Sequence, residues 1–270
     1  MLALVLGGGA AKGYAHIGVI KLLEELNIKP ELVVGASMGA LVSAFYAVGY
    51  QVKEIEDIAC QIDGRKKNSL FPIRLNARGL INGKAIVKHL SQYLGNKKIE
   101  ELPIKYAAVT TDIEEHKELV ITKGDLVQAV RAAISIPVVF IPHHYQGRIL
   151  VDGGFVNPVP VDVAVNLGAT RIIAVNVLRY INYESEILTS TQAGNAKFNM
   201  RSVATEVFDY VFSRLIDFSV SKASHCLLMN INTGGIKLTQ FERARFAIEL
   251  GYQEALIYRE KLARFVIIKT

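Results

Sequence analysis

The sequence lacks several features by which common classes of protein are recognised. It has two cysteines in 270 residues, Cys60 and Cys226, which argues against a disulfide framework or a cysteine-rich metal site and predicts free thiols in a reducing cytoplasm. No apolar run approaches the roughly 20 residues that a membrane-spanning helix needs. Residues 1–6 are apolar but too few for a secretory signal, and no basic segment precedes them. We therefore expect a cytoplasmic globular protein.

Motifs for nucleic-acid binding are also missing, although the chain has a net charge of +6. Residues 51–100 hold ten basic and five acidic side chains, but no tract alternates aromatic with basic residues, and no zinc or RNP-type motif is present. Nucleic acid is therefore not an expected partner. The positive charge either forms a solvated face or draws the protein to an anionic membrane or an acidic substrate. In the second case residues 51–100 would be a basic cover over the site, and the protein would lie peripherally at the inner membrane face.

Strand and helix patterns alternate from the start of the chain. Residues 2–6 and 32–34 are short apolar runs typical of buried strands, and residues 14–26 and 41–48 have helical spacing. With 51% hydrophobic residues the chain can build a large core, and no linker or repeat divides it. We predict one domain over residues 1–270, a three-layer α/β/α sandwich around a mostly parallel sheet.

The rest of the chain continues the alternation, and residues 200–270 are expected to be a helical carboxyl-terminal part. Residues 64–79 lack clear periodicity, and residues 184–199 are polar and predicted to be a loop. The expected strands are 104–112, 118–122, 148–151, 171–177 and 226–231. The expected helices are 52–61, 82–93, 125–133, 160–167, 200–220 and 239–262.

The helix predicted over residues 200–220 has a marked apolar stripe. We expect this stripe to pack in the core or to form the contact face of a homo-oligomer, with membrane insertion as the alternative. Its members are Val203, Val207, Val211, Leu215 and Phe218, broadened by Phe208 and Phe212.

A Gly-x-Ser-x-Gly motif joins the second predicted strand to the next helix. Gly35 and Gly39 relieve the crowding of a sharp turn, which leaves Ser37 exposed beyond the carboxyl edge of the sheet. At this place the positive end of the helix stabilises a developing alkoxide, and an acyl group can reach the hydroxyl. The motif indicates Ser37 as a nucleophile.

A glycine-rich loop, residues 7–13, follows the first predicted strand and opens a helix. Its backbone N–H groups can converge on one point, and its glycines let a carbonyl oxygen approach closely, as an oxyanion hole requires. Lys12 within the loop either orients an anionic substrate group or holds the loop in place. Gly7 and Gly13 bound the loop.

The partner of Ser37 is less obvious, because no histidine has the setting of a catalytic triad. His143 and His144 are expected at the surface, and His16 is expected to pack or to cap a helix. Asp152 ends a predicted strand and is followed by two glycines, Gly153 and Gly154, so in a parallel sheet it would lie at the same edge as Ser37. A Ser–Asp dyad can transfer an acyl group if its surroundings raise the aspartate pKa from about 3.9 towards neutrality.

Taken together, these motifs resemble the patatin-like phospholipase family, in particular its small bacterial members. The glycine-rich loop with a basic residue before its last glycine, Gly-Ala-Ser-Met-Gly at 35–39 and Asp-Gly-Gly at 152–154 occur in the family's order. Residues 11–18, 131–137 and 152–158 are also similar to the family.

The resemblance implies a lipid acyl hydrolase that needs neither metal nor cofactor. Ser37 would be its nucleophile and Asp152 its base, with Gly8, Gly9 and Ala10 as the oxyanion hole. The chain departs from the family at one place. Aligned on the loop's last glycine, the family's Gly-x-Gly-x-x-Gly puts Ala10 where a glycine usually stands, which is tolerable if its φ is negative. Aligned instead on Gly7 and Gly9, both glycines are present but the spacing to the last glycine is one residue longer.

Other functions agree less well with the sequence. A dinucleotide-binding fold expects an acidic residue at the end of the second strand, where this chain has Gly35-Ala36-Ser37. An acyltransferase or a thioesterase could use the same dyad. A non-catalytic regulatory protein on this fold is a further alternative, against which the presence of both Ser37 and Asp152 argues. Hydrolysis of a lipid or other acyl ester through an acyl-serine intermediate is the predicted function.

Overall fold

The computed structural model describes residues 1–62, 64–70, 81–178 and 200–267. Over these ranges the chain forms eight strands in one sheet, with helices on both of its faces. The strands are β1 (Leu2–Leu6), β2 (Leu32–Ala36), β3 (Lys105–Asp112), β4 (Lys117–Ile121), β5 (His143–Tyr145), β6 (Arg148–Asp152), β7 (Arg171–Asn176) and β8 (Cys226–Asn230). The helices are α1 (Ala15–Glu25), α2 (Met38–Val48), α3 (Val52–Cys60), α4 (Gly64–Leu70), α5 (Lys84–Leu94), α6 (Leu126–Ala133), α7 (Val161–Asn166), α8 (Met200–Val220), α9 (Ala244–Leu256) and α10 (Arg259–Ile267).

Along the sheet the strand order is β5-β6-β3-β2-β1-β7-β8. Strands β2 and β6 pair with one edge of β3, and β4 pairs with its opposite edge. Strands β3, β2, β1, β7 and β8 are parallel, while β4, β5 and β6 extend the sheet in antiparallel pairings. The predicted α/β fold with a central, mostly parallel sheet is therefore confirmed. One expectation is wrong: the strand that carries Asp152 is antiparallel to its neighbour β3.

Two apolar cores explain why β1 is hydrophobic at every position. All five of its residues are buried, and successive side chains point to opposite faces of the sheet. Leu4 packs with the core formed by α1, α2, α3, α5, α6 and α9, whereas Val5 packs with the core beneath α7 and α8. Because β1 and β2 are parallel, their carboxyl ends lie at the same edge of the sheet. Helices cover both faces, so this edge is the accessible one.

Most predicted elements are found within a few residues of their expected bounds. Asp125 caps α6 as expected, its carboxylate accepting the Gln128 N–H at 2.9 Å. Three expectations need correction or fall outside the description. Residues 64–70 form a short helix, and the closing helix is broken at residues 257–258 into α9 and α10. Residues 71–79 and 184–199 lie outside the described part of the chain.

Of the two placements expected for the α8 stripe, core packing is wrong, and the contact face of a homo-oligomer stays a prediction. Val207 and Phe218 are 55% and 61% exposed, and the buried side chains of this helix are Ser213, Ile216 and Ser219. Ser219 explains the difference: its Oγ accepts the Val161 N–H at 2.9 Å at the start of α7, which turns this polar face inward. Among the described residues no helix combines the length and apolarity that crossing a bilayer needs.

Candidate active site

The serine turn, residues 35–39, links β2 to α2 in a strained conformation. Ser37 has φ +52° and ψ −127°, a region that non-glycine residues rarely adopt and that is found mostly at functional sites. Both neighbouring glycines are required sterically. A Cβ at Gly39 would lie 2.0 Å from the Leu6 carbonyl oxygen, and one at Gly35 would lie 2.4 Å from the Ala40 nitrogen. The turn therefore presents the hydroxyl at the start of α2. The expectation that Ser37 is exposed is wrong, because only 6% of the residue is accessible.

Asp152 reaches Ser37 by a route that differs from the predicted one. Strand β2 pairs with β3 as far as Ala36 opposite Val109, and β6 pairs with β3 from Asp152 opposite Thr110. Because β4 occupies the other edge of β3, β2 and β6 meet end to end along one edge. The Ser37 hydroxyl donates a hydrogen bond of 2.6 Å to Asp152 Oδ2.

The Asp152 carboxylate is buried and accepts two hydrogen bonds. Only 1% of the residue is exposed, and its Oδ1 accepts the Gly154 N–H at 2.8 Å. Burial raises its pKa to about 6, against the opposing effect of the hydrogen bonds from Ser37 and Gly154. The carboxylate is thus ionised at neutral pH but far more basic than an exposed aspartate.

The glycine-rich loop packs against the serine turn. A Cβ at Gly8 would lie 3.3 Å from the Ser37 Cβ, so this glycine allows close approach. Its N–H is already engaged, donating to the Pro158 carbonyl at 2.9 Å, and the Gly7 N–H donates to the Val175 carbonyl at 3.0 Å. Within the described part of the chain, the N–H groups of Gly9 and Ala10 have no acceptor. Of the three predicted oxyanion donors, these two have N–H groups available for a substrate oxygen.

Ala10 adopts the conformation that its side chain disfavours. Its φ is +46°, so the condition under which a methyl group would be tolerable there, a negative φ, is not met. The left-handed region costs an alanine about 1 kcal/mol relative to its usual conformations, a cost that glycine avoids. The backbone at this position is thus the one suited to the glycine that the family pattern places there.

Neither Lys12, within the loop, nor His16, after it, borders the Ser37 cavity. His16 is fully buried, and burial lowers its pKa to about 4, so the neutral ring donates from Nε2 to the Gly7 carbonyl at 2.8 Å. Lys12 borders a separate polar cavity with Asn230 and Thr233. Burial lowers its pKa, an effect opposed by the charge of Asp209.

The remaining predicted residues have packing roles or lie apart from the dyad. A Cβ at Gly13 would lie 2.4 Å from the Met38 Cγ, and one at Gly153 would lie 2.3 Å from the Val109 carbonyl oxygen. His144 is exposed, as expected, but His143 is half-buried and burial lowers its pKa to about 4. In the described ranges no group of three or more His, Cys, Asp or Glu side chains is arranged to hold a metal ion.

Arg131 is linked to the Asp152 backbone through Ser135, a connection that the sequence motif alone did not reveal. It is 2% exposed, its Nη1 donates to Ser135 Oγ, and its Nη2 donates to the Ile141 carbonyl at 3.0 Å. The Ser135 carbonyl in turn accepts the Asp152 N–H at 3.0 Å. The available signal was an arginine within α6, where Gln128 is the other polar residue among apolar ones.

A cavity of about 90 Å³ opens beside Ser37. Its wall includes Leu70 of α4 and Ile86 of α5, so part of the basic region 51–100 does lie beside the site. The other lining residues come from the glycine-rich loop and the residue after it, from α2 and α5, from the segments after α3 and α6, and from the turn before α9. They are Ala10, Tyr14, Met38, Leu41, Ile62, His89, Leu90, Ile134, Ile136, Phe140 and Phe241.

Comparisons with known proteins identify relatives of this chain. A family model described as patatin-like phospholipase matches residues 4–165. An NTE family protein of Mycobacterium tuberculosis is 34% identical over 225 residues, which are 82% of this chain and 59% of that protein. Neuropathy target esterase sws of Drosophila melanogaster is 34% identical over 181 residues, 65% of this chain and 13% of that protein. This chain thus spans less than two thirds of either relative.

A solved structure shows a similar fold. The crystal structure of VipD from Legionella pneumophila matches with a TM-score of 0.50 and 15% sequence identity, covering 96% of this chain and 66% of that chain. At this identity the likeness concerns the fold alone.

Proposed function

Because this chain belongs to the patatin-like phospholipase family, we propose that it is a serine acyl hydrolase that cleaves lipid esters through a Ser37–Asp152 dyad. Family membership supports a lipid hydrolase in general. The dyad rests on the 2.6 Å hydrogen bond from the Ser37 hydroxyl to a buried carboxylate, at the mouth of an apolar cavity. A nucleophile, a base in contact with it and space for an acyl group are the parts that acyl transfer needs.

The proposed reaction has two stages. Asp152 Oδ2 accepts the hydroxyl proton as Ser37 Oγ attacks the ester carbonyl, and the protonated carboxyl then gives this proton to the departing alcohol. Water attacks the resulting acyl-serine while Asp152 accepts its proton, and the proton returns to Ser37 as the fatty acid leaves. The pKa of about 6 supports this role, because the base is ionised at neutral pH yet able to hold a proton briefly.

The negative charge on the substrate oxygen would be stabilised by backbone groups. The free N–H groups of Gly9 and Ala10 are the proposed donors, and the amino-terminal end of α2 adds its positive partial charge. His16 would act as a positioning residue, since its hydrogen bond to the Gly7 carbonyl holds the start of the loop.

The substrate is proposed to be a lipid ester presented at an anionic surface. The cavity beside Ser37 is apolar, as an acyl chain requires, and the neighbouring helix α5 carries exposed lysines such as Lys84 and Lys88. Hydrolysis of vesicles of neutral and of anionic lipid, compared at low and high salt, tests the electrostatic part. Equal rates without a salt effect would remove it and leave the hydrolase proposal intact.

The proposed function is tested by fluorophosphonate labelling and hydrolysis of p-nitrophenyl butyrate, measured on the same samples. Wild type should show both, and Ser37→Ala should lose both. Ser43→Ala is the matched control. Ser43 is a buried serine like Ser37, but it lies within α2 and borders neither the dyad nor the cavity. Absence of both activities in folded wild type would favour a regulatory protein, and acyl-CoA and alcohol acceptors would reveal a thioesterase or an acyltransferase.

A further inference from the structure

A second cavity, of about 60 Å³, adjoins the one that opens at Ser37. Residues of α1, α2, α3 and α5 border it. Six residues border both cavities, so the two are neighbours with a shared wall of side chains. These residues are Tyr14, Met38, Leu41, Ile62, His89 and Leu90.

The two cavities follow one face of α2, in sequence from the nucleophile. The first touches this helix at Met38 and Leu41, and the second continues along it to Val42 and Phe45. These positions are spaced by three or four residues and therefore line one side of the helix. From Ser37 to Phe45 the path is roughly 12 Å long, at 1.5 Å per helical residue.

The second cavity has the chemistry of a hydrocarbon site. Apart from Tyr14 and His89, its lining residues have no polar side-chain atoms other than the Met38 sulfur. Burial raises the pKa of Tyr14 and lowers that of His89, so both are uncharged at neutral pH. Apolar cavities of this order, up to about 150 Å³, stay dry and take up hydrocarbons. No lining residue would hold a charged headgroup here.

From the series of the two cavities we infer that the second one receives the distal end of the acyl chain and makes the enzyme selective for longer acyl esters. This inference rests on the proposed function. The ester carbonyl lies at Ser37, the first methylenes fill the first cavity, and a longer chain continues into the second by displacing the side chains of Met38 and Leu41. Met38 suits such a position, because its unbranched thioether changes conformation at little cost.

The substitution that tests this inference is Ala59→Leu. Ala59 of α3 borders the second cavity and not the first, and a leucine there would occupy the space meant for the end of the chain. Each methylene excluded from an apolar site costs about fourfold in kcat/KM, the equivalent of about 0.8 kcal/mol. The ratio of kcat/KM for p-nitrophenyl decanoate to that for the butyrate should therefore fall at least tenfold.

A control and an opposite variant make the result specific. Ala85→Leu is the same change on α5, at a position that borders neither cavity, and should leave the ratio as in wild type. Phe45→Leu shortens the side chain at the far end and should shift the preference towards chains longer than decanoate. Thermal unfolding of each variant checks that the fold is retained.

Binding separates this inference from the proposed function. Calorimetric titration of decanoate into Ser37→Ala, with and without Ala59→Leu, should show weaker binding in the double variant by at least tenfold. The inference is overturned if Ala59→Leu, Ala85→Leu and wild type have the same chain-length profile, or if decanoate binds both Ser37→Ala proteins equally. Failure of wild type to hydrolyse any ester while decanoate binding still depends on position 59 would instead overturn the proposed function.

Discussion

The serine turn and the glycine-rich loop lie side by side at the carboxyl edge of the sheet. Different factors limit the side chain at Gly35 and Gly39 of the turn and at Ala10 of the loop. In the serine turn, a Cβ at either glycine would lie 2.0–2.4 Å from backbone atoms. In the loop, Ala10 keeps its methyl group in a left-handed conformation at φ +46°. Gly35 and Gly39 are limited by contacts with neighbouring backbone, whereas Ala10 is limited by its own conformational preference. The effects of substitutions at these positions should therefore differ in size and in sign between the serine turn and the glycine-rich loop.

The largest effect is expected from substitution of Asp152, which accepts the hydrogen bond from Ser37. Asp152→Asn keeps the shape of the side chain but removes the base, and general-base catalysis is worth about 10²–10⁴-fold. We expect kcat/KM for p-nitrophenyl butyrate to fall by this range while thermal unfolding still shows a folded protein. An Asn variant with more than a tenth of wild-type activity would exclude Asp152 as the base.

The next effect concerns the steric limit of the serine turn. Gly39→Ala should destabilise the protein by about 3 kcal/mol, because the added methyl collides with the Leu6 carbonyl and the core has little room to adjust. Urea unfolding measures this. Gly235→Ala is the matched control, since a Cβ there meets nothing within 4 Å, and its stability should stay within about 0.5 kcal/mol of wild type. Equal stability of the two variants would contradict the packing of the turn.

Acid should inactivate the protein without unfolding it. Below pH about 6 Asp152 becomes protonated, and kcat/KM should then fall about tenfold per pH unit. Stability should respond in the opposite direction, because a raised carboxyl pKa means that the folded state binds the proton more tightly than the unfolded chain. This contribution to stability is full below the unfolded pKa and is lost as pH rises through about 6. Asp152→Asn should lose both dependences, and a wild-type profile flat down to pH 5 would contradict the assignment.

The smallest effect should come from the loop. Ala10→Gly relieves a conformation that costs alanine about 1 kcal/mol, but it also increases the entropy of the unfolded chain by a similar amount. We expect a stability gain of at most about 0.5 kcal/mol and labelling within threefold of wild type. A large loss of stability or of labelling would mean that the Ala10 methyl group itself contributes to the site.

The features that depend on short segments were predictable from the sequence. The order of strands and helices, the cap at Asp125 and the need for glycine on either side of Ser37 follow from patterns of a few residues. The close approach of Ser37 and Asp152 was expected, but for the wrong reason. A five-residue strand such as β6 does not reveal its direction, because its pairing with β3 depends on residues 38 to 42 positions away.

Features that depend on distant partners were not predictable. The stripe of α8 suggested burial of Val207 and Phe218, and only the contact of Ser219 with α7 explains why the helix turns a different face inward. The positive φ of Ala10 could not be deduced from the sequence, because alanine itself favours a negative value. The engaged N–H of Gly8 required knowledge of where Pro158 lies.

The central claim is that Asp152 activates Ser37, and the rate of covalent labelling tests it most directly. Wild type and Asp152→Asn would be treated with a fluorophosphonate between pH 5 and pH 9, and the modified residue identified by peptide mass spectrometry. The account predicts modification of Ser37, with a wild-type rate that rises through pH about 6 and a rate for Asp152→Asn that is slower by 10²-fold or more and independent of pH in this range. Modification of another residue, or equal rates in the two proteins, would contradict it.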